Sequence, residues 1–157
     1  MGTGKGSFSL LIRTGLLFLL LVTPLQAQNF NVFLNNFHKL YDVYHFGKHL
    51  PKGQLDRIAC KIWAGSGQDY YFASVTACQG IYESHYQIKG IPVQYRGHQG
   101  MNIKTIIAEG RRTGLRWLLR ECRNDPSLAD KLAASRLVYL FSIYGEMNVT
   151  IYQWVRG

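Results

Sequence analysis

The segment Tyr70-Tyr71-Phe72-Ala73-Ser74-Val75-Thr76-Ala77-Cys78-Gln79-Gly80-Ile81-Tyr82-Glu83-Ser84-His85-Tyr86 decides the fold class. It reads as one helix from about Tyr70 to Tyr86, apolar on most of its sides, and such helices tend to be central. Asp69 stands ahead of it as a cap. Working backwards, Gly65-Ser66-Gly67-Gln68 stops the chain. Before that stop, Leu55, Ile58, Ala59, Ile62 and Trp63 recur at helical spacing. Gly47 to Gly53, with Pro51, is a turn. Phe30, Phe33, Leu34, Phe37, Leu40, Tyr41 and Tyr44 form one further helical face, an aromatic stripe of core-packing type. Working forwards, Ile88 to Gly100 is a loop rich in Gly and Pro, with room for a small β-hairpin through Ile91 to Tyr95. Helices resume over about Ile103 to Glu121. Asn124-Asp125-Pro126-Ser127 is a stop and restart. The stripe Leu128, Leu132, Leu137, Leu140, Phe141 and Tyr144 follows, Gly145 breaks it, and a short final helix carries Val149, Ile151, Tyr152 and Trp154. The expected fold is mainly α, in a single domain.

Composition agrees with a folded chain and narrows its partners. Of 157 residues, 47% are hydrophobic and 13% aromatic, which excludes intrinsic disorder. A net charge of +9 favours anionic partners: nucleic acid, anionic membrane or acidic cell-wall polymer. Residues 1–27 hold Lys5, Arg13 and no acid. An apolar run, Leu16 to Val22, ends near Pro24 and is followed by Leu25-Gln26-Ala27. This is the layout of a secretory signal peptide, and the run is shorter than a membrane span. Cleavage after Ala27 removes two positive charges and leaves +7. The expected location is the periplasm or the exterior of the cell, with the membrane met only through the leader. Export argues against nucleic acid. It also allows Cys60, Cys78 and Cys122 one bridge and one free thiol, in any of three pairings.

Most of the carboxylates sit in solvated contexts, such as Glu109 beside Arg111 and Arg112, or Asp130 beside Lys131. Glu83 differs. It closes a greasy helix and faces a Gly-rich loop, a setting in which a carboxyl loses hydration and holds its proton. A protonated carboxyl is what glycosidic cleavage needs at the leaving oxygen. Other patterns are weaker. His45 and His49 have helical metal-ligand spacing, but no third ligand stands at useful distance, and no metal or cofactor is expected. Gly65-Ser66-Gly67 lacks the length and the lysine of a phosphate loop. Arg111, Arg112, Arg116, Arg120 and Arg123 could line one basic helix face, solvated or polyanion-binding. Asn148-Val149-Thr150 is a glycosylation sequon, relevant only in a eukaryotic secretory pathway.

Three stretches together resemble the lytic transglycosylases, lysozyme-like enzymes that cut peptidoglycan. Tyr82-Glu83-Ser84-His85-Tyr86 resembles the family's helix ending in Glu-Ser followed by an aromatic or Asn. Gly100-Met101-Asn102-Ile103, 17 residues after Glu83, looks like the Gly-Leu-Met-Gln-Ile turn with one residue missing and Asn for Gln. Tyr144-Gly145-Glu146-Met147-Asn148, then Ile151-Tyr152-Gln153-Trp154, resembles the closing Tyr-Gly and Ala-Tyr-Asn-Ala-Gly, with Gln153 for Asn. The branch most similar is the small secreted one that serves type III and type IV secretion, conjugation and pili. It often carries a Cys about two dozen residues before the Glu and a second Cys ahead of the penultimate helix. Cys60, 23 residues before Glu83, and Cys122 match those places.

The resemblance implies a lysozyme-like domain over 55–157, preceded by a helical extension over 28–54. It implies a Cys60–Cys122 disulfide, with Cys78 left as a buried thiol. Glu83 would protonate the oxygen between N-acetylmuramic acid and N-acetylglucosamine. Once ionised, it would take the proton of the C6 hydroxyl and close a 1,6-anhydro ring. Ser84 and the backbone of Gly100, Met101 and Asn102 would hold Glu83 and the acetamido group, and Tyr152 would bond near the Glu. Implied partners are glycan strands and components of a secretion or conjugation apparatus. The enzymatic reading requires Glu83, Met101 and Tyr152 to meet in one cleft. The alternative is a non-enzymatic exported helical protein, such as an immunity, exclusion or secretion-accessory factor, in which Glu83 is incidental.

Overall fold

The computed structural model of the chain describes residues 28–45, 49–84, 86, 95–96, 98–115 and 118–156. Residues 1–27, where a leader is expected, His85, positions 91–94 of the expected hairpin, Arg116 and Gly157 lie outside them. Seven helices account for most of the described residues: α1 (28–44), α2 (Lys52–Gly65), α3 (Tyr70–Ser84), α4 (Ile103–Thr113), α5 (Leu118–Asn124), α6 (Pro126–Tyr144) and α7 (Met147–Arg156). The protein is mainly α. One short antiparallel pairing joins β1 (Tyr95–Arg96) to β2 (Met101–Asn102), with Tyr95 opposite Asn102 and Arg96 opposite Met101. No helix among the described residues is long and apolar enough to cross a membrane.

Local chemistry sets the helix ends. The Asp69 carboxylate accepts the backbone N–H groups of Tyr71 (2.8 Å) and Phe72 (3.1 Å), which starts α3. Asp125 does the same for Ser127, with Pro126 opening α6. Gly145, at φ 72°, closes α6 in the left-handed conformation that glycine adopts at least cost. Gly114 likewise ends α4, so the stretch expected as Ile103 to Glu121 is two helices, α4 and α5.

Two apolar clusters build the interior. In the first, Phe33, Phe37 and Tyr41 of α1 meet Leu55, Ile58, Ile62 and Trp63 of α2 and Ala73, Ala77 and Ile81 of α3. Each phenylalanine so buried contributes roughly 1.5–3 kcal/mol over its exposed state. The segment 28–44 is therefore part of this core, and the expected boundary between residues 54 and 55 falls inside α2. The second cluster gathers Met101, Ile106, Cys122, Leu132, Leu137 and Trp154.

The central helix is α6, not α3. It packs against α2, α3, α4, α5 and α7, and it contributes Ala134 to the first cluster and Leu132, Leu137 and Leu140 to the second. The apolar look of α3 comes partly from tyrosines, and Tyr70, Tyr71 and Tyr82 stand exposed, the Tyr70 hydroxyl accepting from the Asn36 amide at 2.8 Å. Small residues instead let other helices close on α6. At Gly65 a Cβ would lie 2.1 Å from the Lys131 carbonyl oxygen, so α2 crosses α6 in backbone contact.

A methyl group at that crossing forces the helices apart. Gly65→Ala is expected to lose about 1–3 kcal/mol in urea unfolding, the range for an overpacked contact. Gly53→Ala, with open space around its Cβ, should be neutral or gain up to about 1 kcal/mol. Equal unfolding midpoints for Gly65→Ala and wild type would contradict the close crossing.

Candidate functional site

The site expected from sequence lies where α3 ends. The buried face of α3 runs through Ala73, Thr76, Ala77, Gly80 and Ile81. Gly80 belongs there because a Cβ would meet Gln99 Nε2 at 2.4 Å and the Tyr86 phenol at 2.5 Å. Two residues after α3 the backbone turns left-handed at Tyr86 (φ 57°), so the helix stops at Ser84 rather than continuing to Tyr86. That conformation is costly for an aromatic residue. Burial of its ring against Phe37 and Tyr41, and a bond from its hydroxyl to the Ala77 carbonyl (3.0 Å), hold it there. Burial and the nearby Asp130 carboxylate push the Tyr86 phenol well above its ordinary value.

Glu83 falls outside that face and is exposed. The Gln79 amide donates to its Oε1 at 2.6 Å, one helical turn back. The hydration loss expected from the greasy helix is absent in the free chain, because the apolar side of α3 points away from this position. Ser84 is half-buried, and its hydroxyl reaches two carbonyls, Gly80 (3.2 Å) and His98 (2.6 Å). The second bond pins the end of α3 to the turn of residues 98–100, which leads directly into Met101 and Asn102. Ser84, Gly100, Met101 and Asn102 are therefore neighbours in one structure. Met101 is buried in the second cluster, and Asn102 caps α4 by accepting the Lys104 N–H at 2.9 Å. Tyr152 is not part of this group. It is exposed on α7, with the Arg156 guanidinium 4.7 Å from its ring centre, and no described contact carries it to Glu83. The meeting of Glu83, Met101 and Tyr152 in one cleft is not present among the described residues.

Two carboxylates read as solvated are the buried ones. Asp130 is fully buried, and its Oδ2 lies 2.6 Å from Nδ1 of the equally buried His98. Burial raises the Asp130 carboxyl above its usual range, and the His98 ring opposes this only in part. Glu109 is 2% exposed and takes Arg112 at 2.7 Å and Arg136 at 3.4 Å. Adjacent Lys131, Arg111 and Arg112 suggested solvent, but helical phase decides the matter. Asp130 shares a face with Ala133, Ala134 and Leu137, at i+3, i+4 and i+7, and Glu109 lies three residues from Ile106. That periodicity was the available signal. His98 carried none, since it lies in a loop.

The remaining candidates divide similarly. Arg112 is held by Glu109 and stacks 4.6 Å over Tyr139, so it is not a free member of a basic face. The rings of His45 and His49 are 4.5 Å apart, but their nitrogens bond Tyr41, Leu50 and Asp42. No group of three metal-binding side chains occurs among the described residues. The expected Cys60–Cys122 disulfide is not formed, and all three cysteines are free. Cys60 points to solvent from the outer side of α2, whereas Cys122 is 1% exposed in the second cluster. Cys78, expected to be buried, is exposed on α3. No protein-family model, curated protein or solved structure matches the chain.

Thiol chemistry checks this arrangement. Burial, with Asp130, Glu121 and Asp125 nearby, pushes the Cys122 thiol up to about 12, and partial desolvation raises Cys78. The thiolate is the reactive form. At pH 8 a disulfide reagent such as DTNB should therefore label Cys60 first, Cys78 more slowly, and Cys122 only after denaturation. A purified protein whose Cys60 and Cys122 are both unreactive even in denaturant, until reduced, would restore the bridge.

Proposed function

We propose that the chain is an exported peptidoglycan lytic transglycosylase that uses Glu83 as both acid and base. The observation that carries this reading is the 2.6 Å bond from the Ser84 hydroxyl to the His98 carbonyl. It joins two of the three stretches on which the family resemblance rests, the Glu-Ser helix end and the Gly100-Met101 turn. An exposed Glu83 suits a polymeric substrate, since a glycan strand can reach it without a lid. Once the strand covers the carboxyl and excludes water, the neutral acid is the favoured form, ready to protonate the glycosidic oxygen. The resulting carboxylate accepts the C6 hydroxyl proton as the 1,6-anhydro ring closes. Ser84 then acts as a positioning residue, holding the helix end against the turn. The positive chain charge favours approach to an anionic wall. Cleavage after Ala27 would deliver the protein to the envelope, where local opening of the wall would serve a secretion or conjugation apparatus.

One observation favours a second reading, a non-enzymatic exported helical protein. Tyr152, which the enzymatic reading places beside the acid, pairs with Arg156 on an exposed face instead.

Digestion of purified peptidoglycan separates the two. The enzyme releases anhydromuropeptides, visible by mass spectrometry, and Glu83→Gln lowers the rate at least ~100-fold, the lower end for general acid–base catalysis. Glu146→Gln, at an exposed carboxylate, keeps most activity. Glu109 is unsuitable as a control, since its loss strands two arginines. A Glu83→Gln protein that clears walls as fast as wild type hands the case to the second reading.

A further inference from the structure

Two guanidiniums share one buried carboxylate where α4 meets α6. Glu109 is 2% exposed, and both of its oxygens are taken. Oε2 accepts from Arg112 Nε (2.9 Å) and Nη2 (2.7 Å), and Oε1 lies 3.4 Å from Arg136 Nη1. We propose that Arg112 and Arg136 together form a binding site for an oxyanion, the phosphate or carboxylate group of an anionic ligand.

The charge count is the starting point. A guanidinium stays protonated at any physiological pH, so the cluster holds two positive charges against one negative. Protonating Glu109 would only enlarge the excess. The surplus is partly desolvated, since the side chains of Arg112 and Arg136 are 31% and 16% exposed. A charge withdrawn from water without a counter-charge is costly. No other carboxylate forms an ion pair with either arginine among the described residues. The remaining charged residues of α4 and α6 are Lys104, Arg111 and Lys131, all basic, and Asp130, buried against His98. The fold thus leaves the neutralising charge to be supplied from outside.

The donors that would receive it are accessible and held in place. Arg136 Nη2 has no hydrogen-bond partner among the described residues, and unlike the neighbouring Nε it is not enclosed. Arg112 is fixed by Glu109, by the Ser135 hydroxyl at 2.8 Å and by the Tyr139 ring, whose centre is 4.6 Å from its Cζ. A guanidinium so held loses little freedom on binding, and its planar fork suits the paired oxygens of a phosphate or carboxylate. With both Glu109 oxygens occupied, the cluster offers no free carboxylate oxygen to a cation. Glu83 has no described contact with these residues, so the proposal stands or falls independently of the transglycosylase reading.

Calorimetric titration of the full chain with inorganic phosphate and with acetate, against sodium chloride of equal ionic strength, tests it. Phosphate alone binding identifies a phosphate ligand, and acetate alone a carboxylate one. Binding of both identifies the shared oxyanion chemistry. In each case the Nε–H signals of Arg112 and Arg136 shift in NMR on binding; this readout uses the wild type and decides the case if a variant unfolds. Arg136→Gln leaves Glu109 paired with Arg112 alone, a neutral pair that should keep the fold, and weakens affinity about tenfold or more, as loss of a charged hydrogen bond does. Arg111→Gln removes the same charge from an exposed position outside the cluster and leaves affinity nearly unchanged. Any of three results overturns the proposal: neither anion binds at millimolar concentration beyond the chloride control, the Nε–H signals of both arginines are indifferent to the anion, or Arg111→Gln weakens binding as much as Arg136→Gln does.

Discussion

Asp130 sits fully buried on the central helix, and His98, 2.6 Å away, is its one described partner. Removing either side leaves a buried group unpaired, typically a loss of about 3–5 kcal/mol. Much of the region around the end of α3 hangs on this contact. His98 presents its carbonyl to Ser84, which fixes the end of α3. Its ring packs 5.3 Å from Tyr86, which in turn fills the first core against α1. From His98 the chain runs through Gly100 into Met101, which enters the second core. A single buried pair thus sets the register between α6, the end of α3 and the turn that carries the second motif.

That pair can stay dry because the helices around it approach closely. Gly65 lets α2 touch the backbone of α6, and Ala129, Ala133 and Ala134 keep the α6 surface shallow. With both clusters packed against it, α6 is held on several sides, and a shift there would disturb both at once. Close packing of this kind makes a rigid support, which is what a positioned carboxyl requires.

The chemistry-bearing groups fall into two environments. Glu83 is exposed at a helix end, open to a large ligand. His98 and Asp130 are buried, and the polarity of each is turned towards the other. The two places are joined through the Ser84–His98 bond.

The helices themselves were legible in the sequence, because their signals are local. The aromatic stripe of α1, the apolar positions of α2, the Asp69 cap, the Asp125-Pro126 restart and the Gly145 stop each act within a turn or two of chain. Ser84 beside a Gly-Met turn was legible as a motif, but the bond that unites them was not. What only the tertiary structure decided is which side chains lost their water and which partner each received. Glu83 read as dry and is wet, while Asp130 and Glu109 read as wet and are dry. Cys60 and Cys122 suggested a bridge, yet one thiol faces solvent and the other the core. Each of these depends on groups brought from far along the chain, such as His98 arriving 32 residues before Asp130. Helical spacing fixes which residues share a face, but desolvation is set by what packs onto that face, and that is a property of the assembled fold.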